Sequence, residues 1–152
     1  MNEIIKEVSI KLQTNKQKIS FVESCTGGAL VSALVSIPGA SNILDASFVT
    51  YSEEAKKEIV NVKQETLDKY TVYSKEVAYE MCEGLYQKTK CDICVSITGH
   101  AGGSDDKENG IAYLCIRHLG HYLEYKLVEK GTREEVRCKF VKDVFTILNK
   151  LI

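Results

Sequence analysis

The feature that most constrains this chain is a short apolar stretch of strand character at residues 18–22, followed by the polar and glycine-containing residues 23–28. A second apolar stretch of helical length then runs over residues 29–35 and stops before Pro38 and Gly39. Proline and glycine at such a position end a helix. The order predicts a buried strand that turns directly into a buried helix, as in a sheet covered by helices.

The rest of the chain alternates in the same way. Apolar periods of three to four residues predict helices, and runs of β-branched residues predict strands. The predicted helices lie at 2–14, 26–37, 64–70 and after Ser52, Ser74 and Thr132; the predicted strands lie at 18–23, 46–51, 93–98, 111–118 and 121–129. This order predicts an α/β fold: a mixed sheet with helices on both faces and an antiparallel hairpin at one side. A length of 152 residues predicts a single domain, residues 1–152.

Composition excludes several classes of function. The formal net charge is −1 and lysine and arginine are not clustered, so we expect no nucleic-acid partner. No apolar run reaches the length of a membrane span, and residues 1–6 are amphipathic, unlike a signal peptide. We therefore expect no membrane association and a cytoplasmic location, where the six cysteines stay reduced.

Polar side chains follow three of the predicted strands. Ser24 follows the first strand, Tyr51 and Lys56 follow the second, and Thr98 with the glycine-rich residues 99–110 follows the third. The carboxyl ends of parallel strands meet at one edge of a sheet, where ligands bind. The sequence therefore predicts one site at this edge.

A serine beside a lysine indicates one chemistry for that site. A lysine made partly neutral by burial can take the proton of a serine nucleophile, and backbone N–H groups of residues 24–28 can stabilise an oxyanion. Tyr51 can relay a proton or hold the lysine. Two structural alternatives stay open: residues 24–28 as a packing turn, and Lys56 as a surface lysine.

The glycine-rich loop and Arg133 suit a phosphate group. Arg133 can equally be a solvated residue in the first turn of a helix, and His100 can be a base near the site or a solvent-exposed loop residue. None of the histidines has the spacing of a metal ligand set, and we expect no metal site.

Five motifs in register resemble the CinA C-terminal domain family, and the resemblance covers nearly the whole chain. They are residues 23–28 (ESCTGG), 38–41 (PGAS), 49–56 (VTYSEEAK), 95–102 (VSITGHAG) and 131–137 (GTREEVR).

The resemblance implies a three-layer α/β/α sandwich and a nicotinamide-nucleotide amidohydrolase that needs no cofactor. Its reaction converts nicotinamide mononucleotide and water into nicotinic acid mononucleotide and ammonia. By the family pattern Ser24 is the nucleophile, Lys56 and Tyr51 activate it, Thr98 contacts the substrate and Arg133 binds it, at its phosphate. The resemblance also implies a homo-oligomer.

The two glycine-containing segments complete the expected substrate-binding set, which is Thr26, Gly27, Thr98, Gly99, Gly102 and Arg133. The loop at residues 99–110 departs from the family pattern. It lacks the two prolines that the family loop usually has, and His100 stands where an aliphatic residue is common. This departure motivates a rival hypothesis, a non-catalytic pyridine-nucleotide-binding or regulatory module of the same fold.

Overall fold

A computed structural model describes residues 1–103 and 109–152. In this part of the chain helices and strands alternate as the sequence predicts. The elements are α1 Asn2–Asn15, β1 Ile19–Glu23, α2 Ala29–Val35, a 3-10 helix Ala40–Asn42, β2 Phe48–Val49, α3 Glu53–Val60, α4 Gln64–Tyr70, α5 Lys75–Thr89, β3 Ile93–His100, β4 Ile111–His118, β5 His121–Val128 and α6 Arg133–Leu151.

The five strands form one mixed sheet in the order β2-β1-β3-β4-β5. Strands β2, β1 and β3 run parallel, and β3, β4 and β5 run antiparallel. The predicted α/β class, mixed sheet and antiparallel hairpin are therefore confirmed. The carboxyl ends of β1, β2 and β3 point to one edge, which β5 also reaches before the chain enters α6.

Period-two alternation along the strands divides the core into two parts. Phe21 and Val95 pack on the face covered by α1, α2 and α6, whereas Val22 and Cys94 pack on the face covered by α3, α4 and α5. Successive strand residues point to opposite faces, so an almost wholly apolar strand feeds both cores. The three-layer sandwich is thereby confirmed.

Two predicted strand boundaries differ from the structure. Strand β2 spans only Phe48–Val49 of the predicted 46–51, and it starts late because the Ser47 hydroxyl, not a backbone carbonyl, accepts the hydrogen bond of the Phe21 N–H at 2.9 Å. Strand β3 continues through Gly99 and His100, which pair with β4, so the loop begins later than predicted. Residues 104–108 of that loop lie outside the described residues.

Helix α2 is shorter than predicted at its start. Gly27 and Gly28 have φ angles of 62° and 95°, in the left-handed region that side chains rarely adopt, and they form a turn before the helix begins at Ala29. The predicted caps of later helices are confirmed: Ser52 and Ser74 accept N–H bonds, and Thr132 forms a capping box with Glu135.

Helices α3 and α5 approach so closely that Gly84 has no room for a side chain. A Cβ atom there would lie 1.9 Å from the Val60 carbonyl oxygen. We expect Gly84→Ala to lower the free energy of unfolding by about 1–3 kcal/mol, because overpacking outweighs the better helix propensity of alanine. Urea denaturation measures this, with Lys88→Ala on the exposed side of α5 as the control. Equal midpoints for the wild type and Gly84→Ala would contradict it.

Candidate functional site

A cavity of about 410 Å³ opens at the carboxyl edge of the parallel strands. All three predicted strand ends contribute to it, and so does the start of α6. Among the described residues it is lined by Ser24, Cys25, Tyr51, Glu53, Lys56, Val72, Tyr73, Gly99, His100, Ala101 and Arg133. The volume lies within the range of small-molecule sites.

Lys56 is the best-defined residue of the cavity. Its side chain is completely buried, although it lies only one turn from the start of α3. The Lys56 Nζ donates to Ser24 Oγ at 3.0 Å, to the Thr50 carbonyl at 2.6 Å and to the Tyr51 carbonyl at 3.3 Å. The interpretation of Lys56 as a surface lysine is therefore wrong.

Burial lowers the pKa of the Lys56 amine from 10.5 to about 8, against the opposing influence of Cys25 and Glu53. A neutral amine is thus accessible near physiological pH. In that form the two N–H groups can stay on the Thr50 and Tyr51 carbonyls while the lone pair faces the Ser24 hydroxyl. The contacts of Lys56 suit both protonation states.

The neighbouring thiol is not a rival nucleophile. Burial raises the pKa of Cys25 to about 12, so the thiol stays protonated. All six cysteines of the chain are free, and only Cys138 is exposed.

The turn that carries Ser24 is organised by Glu23, to which the sequence analysis assigned no role. The Glu23 carboxylate is fully buried and lies at the start of α2. It accepts the Thr26 hydroxyl at 2.5 Å and the backbone N–H groups of Gly28, Leu30 and Val31 at 3.1, 3.1 and 3.0 Å. The helix start is therefore occupied by the protein's own carboxylate and is not free for a ligand.

The predicted substrate contacts Thr26 and Gly27 lie beside Glu23 and Ser24. The Gly27 N–H donates to the Ser24 carbonyl at 3.0 Å, and neither residue belongs to the cavity lining given by the described residues. Their contact with a substrate stays a prediction. Of the residues of the turn, Ser24 and Cys25 line the cavity, and the Cys25 backbone N–H contacts its own thiol.

Arg133 and Tyr51 meet at the mouth of the cavity. The Arg133 Nη2 donates to the Tyr51 hydroxyl at 3.1 Å, and its Nη1 donates to the Gly102 carbonyl at 2.8 Å. Tyr51 therefore contacts Lys56 through its backbone carbonyl, while its hydroxyl accepts from Arg133. The residue as a whole is 62% exposed.

The remaining predicted residues lie along β3. The Thr98 hydroxyl is buried and donates to the Val72 carbonyl at 3.0 Å, so it braces the cavity wall, whereas Gly99 and His100 line the cavity itself. The His100 ring lies edge-on to Tyr73, with centroids 4.9 Å apart. The interpretation of His100 as a solvent-exposed loop residue is wrong.

Sequence reasoning missed several contributors to the site. Glu23 left a signal, a carboxylate at the end of an apolar strand, which burial converts into a helix cap. Tyr73 and Val72 gave no comparable signal, because they come from the α4–α5 connection.

Within residues 1–103 and 109–152 no group of three His, Cys, Asp or Glu side chains could hold a metal ion. In the same ranges no helix has the length and apolarity needed to cross a bilayer.

Residues 1–152 match the family model of the CinA C-terminal domain. A CinA-like protein of Petrotoga mobilis is 43% identical over 129 residues, covering 83% of this chain and 32% of that protein. A CinA-like protein of Thermosipho melanesiensis is 35% identical over 156 residues, covering 99% of this chain and 39% of that protein. The chain thus spans about a third of the length of these curated relatives.

Solved structures agree with these matches. The competence/damage inducible protein CihA from Agrobacterium tumefaciens has a TM-score of 0.92 at 30% identity, covering 99% of this chain and 94% of that chain. The competence damage-inducible protein A (ComA) from Klebsiella pneumoniae has a TM-score of 0.93 at 28% identity, covering 98% and 94%.

Proposed function

Because the chain belongs to the CinA C-terminal domain family, we propose that it is an amidohydrolase that converts nicotinamide mononucleotide into nicotinic acid mononucleotide and ammonia. The observation that carries this proposal is the buried Lys56 Nζ, 3.0 Å from Ser24 Oγ at the edge of a cavity. A serine and a lysine with a depressed pKa are the parts that a serine–lysine acyl-transfer site needs.

The first half-reaction forms an acyl-enzyme. Neutral Lys56 takes the Ser24 proton while Ser24 Oγ attacks the carboxamide carbon, and the negative charge collects on the amide oxygen. The proposal assigns the oxyanion to backbone N–H groups of the turn at residues 24–28, of which Ser24 and Cys25 line the cavity. Lys56 then passes its proton to the leaving nitrogen, the carbon–nitrogen bond breaks, and ammonia departs.

The second half-reaction uses water. Lys56, neutral again, takes a proton from a water molecule that attacks the ester carbon, and the ester bond to Ser24 breaks as the proton returns to Ser24 Oγ. The product is a carboxylic acid, which ionises at neutral pH. The scheme consumes one water and needs no cofactor.

Arg133 is the proposed phosphate contact. Tyr51 and Gly102 accept from two of its five N–H donors, and the proposal assigns the donors without a partner among the described residues to an anion at the cavity mouth. The start of α2, the other candidate anion site, supports this assignment by exclusion, because the Glu23 carboxylate already occupies it.

The decisive experiment measures ammonia release and product mass with purified protein and nicotinamide mononucleotide, with Ser24→Ala as the blank. We expect stoichiometric ammonia and nicotinic acid mononucleotide from the wild type alone. Equal activity in Ser24→Ala would overturn the role of Ser24. Calorimetric binding without ammonia release would favour the rival hypothesis, a non-catalytic pyridine-nucleotide-binding module.

Assembly into a homo-oligomer stays a proposal, which light scattering tests.

The depressed lysine pKa predicts the pH dependence of both activity and stability. Activity requires neutral Lys56, so kcat/KM is expected to rise with pH and level off above a midpoint near the pKa of about 8. Between about 8 and 10.5 the unfolded chain binds the lysine proton more tightly than the folded one, so this group makes stability rise with pH. A pH series of initial rates and of urea midpoints checks both, and activity that falls from pH 6 to 8 would contradict the scheme.

A further inference from the structure

The turn at residues 24–28, here called the nucleophile turn, contains the two left-handed glycines that make it easy to deform. Glu23 holds the turn from the sheet side by its contacts with Thr26, Gly28, Leu30 and Val31. These contacts fix where the turn runs into α2. They leave the Cys25 and Thr26 carbonyls without a restraint from this carboxylate.

Arg137 supplies that restraint from α6. Its Nε donates to the Cys25 carbonyl at 3.2 Å, and its Nη2 donates to the Thr26 carbonyl at 2.8 Å. One planar guanidinium therefore bonds the carbonyls of the two residues that follow Ser24, a geometry that lysine cannot reproduce. Gly27 leaves space for it, because a Cβ atom there would lie 3.3 Å from Arg137 Nη2.

Arg137 contacts the protein's own backbone and does not line the cavity in which a substrate would bind. Arg137 is absent from the cavity lining drawn from the described residues, in contrast to Arg133 one turn earlier. It contacts main-chain carbonyls and so acts on the nucleophile through the backbone.

The serine and its base are held from opposite faces of the sheet. Arg137 belongs to α6, on the face of α1 and α2, and Lys56 belongs to α3, on the other face. The 3.0 Å separation between Ser24 Oγ and Lys56 Nζ is therefore maintained by two helices that do not share a layer.

We infer that Arg137 is a positioning residue that sets Ser24 Oγ against Lys56 Nζ by clamping the carbonyls of Cys25 and Thr26. The inference rests on the proposed role of Ser24 as the nucleophile. Loss of the clamp displaces the nucleophile and leaves substrate binding at Arg133 intact. It therefore lowers kcat and not the affinity for the substrate.

The test measures the reactivity of Ser24 with a fluorophosphonate probe, which needs no knowledge of the substrate. Ser24 Oγ attacks phosphorus, the phosphorus–fluorine bond breaks, fluoride leaves, and Lys56 takes the serine proton. Mass spectrometry locates the adduct on Ser24. We expect Arg137→Gln to label about 10- to 100-fold more slowly, since a small misplacement of reacting atoms has effects of this size. Arg137→Lys should be intermediate.

Controls distinguish displacement of Ser24 from the loss of a positive charge on α6 and from misfolding of the variant. Lys142→Gln removes a positive charge from an exposed position on α6 and should label like the wild type. Steady-state rates with nicotinamide mononucleotide should show a lower kcat at unchanged KM in Arg137→Gln. If Arg137→Gln does not fold, as judged by its melting curve, Arg137→Lys decides the question by the same two readouts.

Three outcomes are decisive. Slow labelling with unchanged KM supports the clamp. Wild-type labelling of Ser24 in a folded Arg137→Gln or Arg137→Lys protein overturns the inference and leaves the proposed function standing. Wild-type protein that carries no adduct on Ser24 overturns the proposed nucleophile, and the inference with it.

Discussion

Replacing Lys56 with methionine is expected to lower kcat for amide hydrolysis by about 10²–10⁴-fold, the usual contribution of a general acid–base group. Methionine is close in size to lysine, but its thioether is not a base that can take the proton of the Ser24 hydroxyl. The loss of activity should therefore occur without loss of the cavity. Initial rates of ammonia release measure it.

The same variant separates chemistry from folding. Removal of the amine ends a desolvation cost but leaves the Thr50 and Tyr51 carbonyls without this donor. Because the two effects oppose each other, we expect a melting temperature close to that of the wild type for Lys56→Met. Lys57→Met is the matched control, because Lys57 lies next to it on α3 and is partly exposed, with Glu54 and Gln64 as its partners. Activity of Lys56→Met above a tenth of the wild-type value would refute the role of Lys56.

Among the substitutions proposed here, Glu23→Ala is expected to lower the free energy of unfolding most, by about 3–5 kcal/mol. The substitution removes the acceptor of four donors in a fully buried place, namely one hydroxyl and three backbone N–H groups. A loss of this size is a large part of the 5–15 kcal/mol typical of a domain. Urea denaturation followed by circular dichroism measures it.

A second acidic residue provides the comparison for Glu23. Glu65 also lies in the first turn of a helix, α4, but it is exposed to solvent. Glu65→Ala should change the free energy of unfolding by less than about 0.5 kcal/mol, because solvated helix-dipole contacts are weak. Equal midpoints for Glu23→Ala and Glu65→Ala would show that the Glu23 contacts carry no net stability.

The fold was predictable because its patterns are local. The apolar strand β1, the Ser74 cap and the Thr132–Glu135 capping box can each be identified from a few neighbouring residues. Strand ends were less predictable, since they depend on partners distant in sequence: Ser47 truncates β2, and β4 extends β3 through His100.

The site was predictable where the chemistry belongs to side chains and not where it belongs to the main chain. Ser24 and Lys56 were predicted as site residues because they follow strands, and Arg133 because its side chain suits a phosphate. The Thr50 and Tyr51 carbonyls that hold Lys56, and the Cys25 and Thr26 carbonyls that hold Arg137, exist in every residue and so leave no trace in a sequence. The burial that depresses the lysine pKa comes likewise from packing of distant segments.

The way in which Lys56 is held has a consequence for how such a site diverges. Within residues 1–103 and 109–152, the hydrogen-bond partners of its amine besides Ser24 are two carbonyl oxygens, which no substitution removes. The exposed Tyr51 side chain can therefore change without removing a hydrogen-bond partner of the Lys56 amine, provided that the Ser52 cap still starts α3 at the same point. New specificities can arise by changing the cavity mouth, which Tyr51 helps to form, while the Ser24–Lys56 contact is kept.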